Sequence, residues 1–95
     1  MLTHIVFIRL KERTPENVAA LRDALLTLPG LIPQIRHFEV GIDMLPSERS
    51  YDIALYSTFD SADGLKAYQV HPEHVKVAEI IKQVAEPTVK VDYER

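Results

Sequence analysis

Hydrophobic periodicity along this chain switches between two and about 3.6, and the order of the switches limits the folds open to it. From Thr3 to Leu10 the side chains alternate, with His4, Val6, Ile8 and Leu10 on one side and Thr3, Ile5, Phe7 and Arg9 on the other. Period two among β-branched and aromatic residues is the pattern of a strand. Thr14 then offers a helix cap, and Pro15 stands in the first-turn position, where its missing donor costs nothing. Val18, Leu21, Ala24, Leu25 and Leu28 recur at spacings of three and four, which predicts a helix to about Leu28, ended by Pro29-Gly30.

Leu31 to Ile35 reads as an irregular apolar connection because of Pro33. Alternation returns from about Arg36 to Met44, where Phe38, Val40, Ile42 and Met44 oppose His37, Glu39, Gly41 and Asp43. A polar connection of hairpin length, Leu45 to Ser50, leads to a third strand from Tyr51 to Phe59. Asp60-Ser61 caps a short helix carrying Leu65 and Tyr68, which His71-Pro72 interrupts. Proline disfavours helical geometry in the residue before it and suits the first helical position, so Pro72 opens a second segment. At 100° per residue that segment gathers Val77, Ala78, Ile80, Ile81, Val84 and Ala85 on one face, with His74 among them. After Pro87, Thr88 to Tyr93 alternate as a last strand, with Val89, Val91 and Tyr93 together.

The order β-α-β-β-α-β is that of the ferredoxin-like split βαβ unit, an α+β fold with a four-stranded antiparallel sheet and helices on one face. Residues 1–95 form one such domain. The other sheet face is expected to carry Ile5, Phe7, Ala54 and Tyr56 among charges such as Arg9, Glu39 and Asp92. That is too much apolar area to leave in water, so a homodimer through the open sheet face is expected, with His37, Tyr56 and Arg9 as interface residues. The net charge of −3, with Lys and Arg scattered, argues against nucleic-acid partners and a polybasic membrane patch. No apolar run approaches the roughly 20 residues that span a bilayer. The amino terminus lacks the basic leader of a signal peptide, and a cytoplasmic location is the expectation.

Seven residues, Tyr68-Gln69-Val70-His71-Pro72-Glu73-His74, hold two of the four histidines beside a tyrosine and a proline. His4 lies on the strand face turned toward the helices and His74 on the helix face turned toward the sheet, so with Tyr68 they are expected to converge on one pocket. A tyrosine and a histidine of different pKa form a donor–acceptor pair suited to removing a proton beside a carbonyl and stabilising the oxyanion. As the third residue of a new helix, His74 is disfavoured as imidazolium by the positive helix end. The same residues also suit a helix junction that satisfies its own backbone groups. A divalent metal on His71 and His74, with Glu73 and His4, lacks three convergent ligands if Glu73 points outward. Neither a metal nor a cofactor is therefore expected.

His4-Ile5-Val6 at the first strand and Tyr68-x-x-His71-Pro72-x-His74 at the second helix resemble the stress-responsive dimeric α/β-barrel family, Dabb. The resemblance covers essentially the whole chain and implies two sheets closing into a barrel across a homodimer. Most members have no assigned reaction. In one plant branch, a polyketide cyclase, a Tyr and a His matching Tyr68 and His74 act in an aldol-type ring closure, and the residue matching His4 lines the pocket. The resemblance thus carries over Tyr68, His74 and His4, with His71 as a support, and the expected site has His74, Tyr68 and His4 as catalytic residues and His71, Val6, Ile8 and Leu65 as ligand contacts. The fold is shared with cofactor-free monooxygenases, a second enzymatic route. The expected ligand is a small, mostly apolar carbonyl or aromatic molecule, and the contrasting expectation is a noncatalytic stress protein.

Overall fold

In the computed structural model, which describes residues 1–95, the alternating segments become strands β1 (Leu2–Ile8), β2 (His37–Ile42), β3 (Ile53–Phe59) and β4 (Val89–Glu94). Between them lie helices α1 (Pro15–Leu26), α2 (Ala62–Val70) and α3 (Pro72–Val84). The strands form one sheet in the order β2-β3-β1-β4, every neighbouring pair antiparallel. This is the ferredoxin-like α+β arrangement. No helix is long and apolar enough to cross a membrane.

Helix α1 starts where Thr14 accepts a hydrogen bond from the Asn17 amide at 3.1 Å, and Pro15 occupies its first turn. It ends at Leu26, short of the expected Leu28, because the next amides fold into tight turns: Leu28 donates to Leu25, and Leu31 and Ile32 both donate to Leu28. Those turns still bury Leu28 and Ile32 completely. β1 likewise stops at Ile8 and not at Leu10. The Leu10 amide donates to the Asp52 carboxylate at 2.8 Å, and Arg9 accepts from the Glu86 amide at 2.8 Å, so the chain turns from β3 toward the end of α3.

Antiparallel partners share a sheet face, so register decides what each face carries. Leu2, Val6 and Ile8 pair with Phe59, Leu55 and Ile53, and most of these side chains join Leu21, Leu25, Leu65, Tyr68 and Val77 in the core beneath the helices. Each large aliphatic buried there contributes about 1.5–3 kcal/mol relative to exposure. Ser57, also buried, donates its hydroxyl to the His4 carbonyl at 3.3 Å.

β4 departs from expectation. Val89, Val91 and Tyr93 stand opposite Phe7, Ile5 and Thr3, on the open face. Asp92 stands opposite His4, and Lys90 opposite Val6, so both turn toward the helices. The placement of Asp92 on the open face is thereby corrected. The apolar set of β4 follows the apolar residues Ile5 and Phe7, and this forces its charged set to the helix side. Arg9 lies over the Tyr51 ring, 4.4 Å from its centroid.

His71 both closes α2 and opens α3. Its amide donates to the Tyr68 carbonyl at 3.1 Å, while its Nδ1 accepts from the Glu73 amide at 3.1 Å. Its backbone is extended (φ −62°, ψ 136°), the geometry that Pro72 imposes on the residue before it. The second helical element is therefore two helices joined by one residue.

Candidate functional site

A cavity of about 700 Å³ opens between α3 and the β1–β4 side of the sheet. His4, Val6 and Ile8 line it from β1, Tyr68 and Gln69 from the last turns of α2, and His74, Val77, Ala78 and Ile81 from α3. On the β4 side the cavity is bounded by Lys90, whose ammonium is held by the neighbouring Asp92 carboxylate.

The rings of Tyr68 and His74 lie with centroids 4.4 Å apart, and His4 meets Tyr68 edge-on at 6.4 Å. Tyr68 is held from behind by Phe59 at 5.0 Å and is 1% exposed. Burial pushes its phenol far above the usual range, so the hydroxyl keeps its proton at all ordinary pH. His74, the third residue of α3, has its Nδ1 3.0 Å from the Gln69 carbonyl oxygen. A carbonyl only accepts, so Nδ1 is the protonated nitrogen and Nε2 carries the free lone pair. Burial lowers the His74 pKa, and His4 and His71 act in the same direction against the Gln69 hydrogen bond. The ring is therefore neutral near pH 7.

His4 is buried and its Nδ1 bonds Asp92 Oδ1. The other carboxylate oxygen accepts from Lys90 Nζ at 2.6 Å. Burial acts to raise the Asp92 pKa, but the hydrogen bonds from Lys90 and His4 prevail and hold it below the usual carboxylate range. With Asp92 ionised, His4 Nδ1 is a donor, and Nε2 is the nitrogen left over.

Across residues 2–95 the chain matches the model of the stress responsive A/B barrel domain, Dabb. The chain belongs to the Dabb family. An uncharacterised protein of Streptomyces coelicolor is 32% identical over 97 residues, covering 99% of each chain. A crystal structure from Bacteroides fragilis, described as a dimeric protein of unknown function with a ferredoxin-like fold, is 38% identical with a TM-score of 0.85 and covers 99% of this chain and 95% of that one. A dimeric ferredoxin-like protein of unknown function from Thermobifida fusca is 32% identical with a TM-score of 0.86, covering 99% and 90%.

Within this Dabb domain, the residues singled out from sequence fall into two groups. His4, Tyr68, His74, Val6 and Ile8 surround the cavity. His71 and Leu65 do not line it: His71 spends its Nδ1 on the helix cap, and Leu65 is packed in the core. No three His, Asp or Glu side chains gather closely enough to hold a metal ion. Asp92 is the residue that sequence reasoning missed. The grouping of Val89, Val91 and Tyr93 already placed Lys90 and Asp92 on the opposite side of β4, and only the register with β1 sets Asp92 against His4.

Chemically, the cavity presents a neutral imidazole with a free acceptor nitrogen, a phenol that keeps its proton, and a second imidazole oriented by a carboxylate. Such a set can take a proton from a bound molecule at one point and supply a hydrogen bond at another.

Proposed function

We propose that this Dabb domain works as a homodimer through its open sheet face and binds a small, mostly apolar carbonyl or aromatic molecule in the cavity, where it catalyses proton transfer. His74 Nε2 is the base that removes a proton beside the carbonyl. The Tyr68 hydroxyl donates a hydrogen bond to the developing oxyanion. His4, oriented by Asp92, polarises the pocket wall. The observation that carries this reading is the tautomer of His74: the Gln69 carbonyl occupies Nδ1 and leaves Nε2 free, next to a phenol that does not ionise. The dimeric descriptions of the Bacteroides and Thermobifida relatives support the assembly, as do the exposed Phe7 and Val91 on the open face.

The test is exchange of α-hydrogens for deuterium in small aryl ketones, followed by proton NMR. Wild type is expected to accelerate exchange, and His74→Ala to reduce the acceleration about 100-fold or more. Equal exchange by both proteins sinks the assignment of His74 as base.

A second reading, a noncatalytic stress protein, draws on the same hydrogen bond. The His74–Gln69 contact also ties the first turn of α3 to the end of α2. In that reading His74→Ala lowers thermal stability and leaves ligand binding as it was.

A further inference from the structure

The cavity carries a charge pattern that proton transfer does not use. Its walls are apolar, from Val6, Ile8 and Leu55 on the sheet to Val77 and Ile81 on α3, whereas its charged lining residues are Lys11, Lys82, Lys90 and Glu86. Asp92 neutralises Lys90 at 2.6 Å, which leaves two ammonium groups, Lys11 and Lys82, against the one carboxylate of Glu86, an excess of positive charge in a chain whose net charge is −3. The lysine ion pairs of the molecule are Lys76 with Glu73 and Lys90 with Asp92. Lys11, in the β1–α1 connection, and Lys82, in the last turn of α3, are left at the rim without a carboxylate partner.

Apolar walls supply affinity and few constraints on orientation, and the few charged groups at a cleft decide which end of a ligand faces out. A cleft of low dielectric lined by one sign of charge also raises the local concentration of ligands of the opposite sign. From these two features we infer that the cavity selects an apolar carboxylate, its hydrocarbon or aromatic body between the sheet and α3 and its carboxylate at Lys11 and Lys82. The inference rests on the reading that the cavity binds an apolar small molecule, and adds the charge of that molecule. Because both lysines are exposed, each acts through water and contributes about two- to five-fold in affinity.

The test compares decanoate with decanol by calorimetry, below the micelle concentration, on the wild-type chain. Four variants accompany it: Lys11→Gln/Lys82→Gln together, Lys66→Gln as a lysine away from the cavity, and Ala78→Phe and Val77→Phe to fill it. Circular dichroism checks each fold. Decanoate is expected to bind about tenfold tighter than decanol, with the preference shrinking as salt rises. The preference should disappear in the double variant and persist in Lys66→Gln. Equal binding of acid and alcohol by wild type, or a preference that survives in the double variant, overturns the selection of an anion and leaves apolar binding in the cavity standing. Failure of both molecules to bind, or binding of both that neither filled variant weakens, overturns the cavity reading and this inference with it.

Discussion

Asp92 on β4 stands directly opposite His4 on β1, and its two carboxylate oxygens are divided between the His4 ring and the Lys90 ammonium. One residue thus sets the tautomer of the pocket histidine and ties a rim lysine to the sheet.

Asp92→Asn keeps the shape and removes the charge that selects a proton on His4 Nδ1. Its folded pKa lies below the unfolded value, so Asp92 contributes stability that is present above the unfolded pKa, about 4, and lost as pH falls through the folded pKa. The expected outcome is a wild-type acid-unfolding profile steeper below about pH 4 than that of Asp92→Asn, read by circular dichroism. Parallel profiles count against the ion pair.

For His74 the sign is the opposite of the usual gain from a partner. Burial lowers its folded pKa, so the unfolded chain takes up the proton first as pH falls. Stability is fully present above the unfolded value, about 6.5, and declines from there toward the folded pKa. Between those limits wild type should lose melting temperature faster than His74→Gln. Proton NMR of the ring resonances is the direct measurement, and a midpoint at or above the unfolded value contradicts a buried neutral ring.

Tyr68→Phe and Tyr68→Ala separate packing from chemistry. The phenylalanine variant keeps the contact with Phe59 and should cost less than about 1.5 kcal/mol of stability, because the volume is conserved. Truncation to alanine leaves a core cavity and should cost about 3–5 kcal/mol. If Tyr68 donates to an oxyanion, Tyr68→Phe lowers ketone exchange about 10- to 100-fold with ligand affinity nearly unchanged. Exchange at the wild-type rate removes Tyr68 from the mechanism.

Phe7→Asp/Val91→Lys places charges at positions that are exposed on the open sheet face, Val91 being 59% exposed. Neither change disturbs the core beneath the helices. Sedimentation at micromolar concentration is expected to show a dimer for wild type and a folded monomer for the variant. A wild-type monomer at that concentration contradicts assembly through this face.

The element order was readable because each segment has one dominant period. Thr14-Pro15 and Ser61 announce their helices by side-chain chemistry that acts within a turn, and Pro72 breaks the second helix through its own ring. Element ends were less readable. The exit of β1 at Ile8 depends on the Asp52 carboxylate, more than 40 residues away. The end of α1 depends on tight turns that still bury Leu28.

Sequence alone determined the β-α-β-β-α-β order, the buried stripe of α1, and the facing of His4, Tyr68 and His74 toward a common space, because periodicity and capping are local properties of the chain; of the apolar face expected on α3, Ile80 and Val84 are exposed. Tertiary structure decided that Asp92 and not a residue of the Tyr68–His74 stretch partners His4, that His71 and Leu65 stay out of the cavity, and that Lys11 and Lys82 both line it. The first and last of these relate segments distant in sequence, whereas His71 is held by the Glu73 amide two residues on. Register fixes the pairing of His4 with Asp92, and it emerges only when the apolar face of β4 is matched to that of β1.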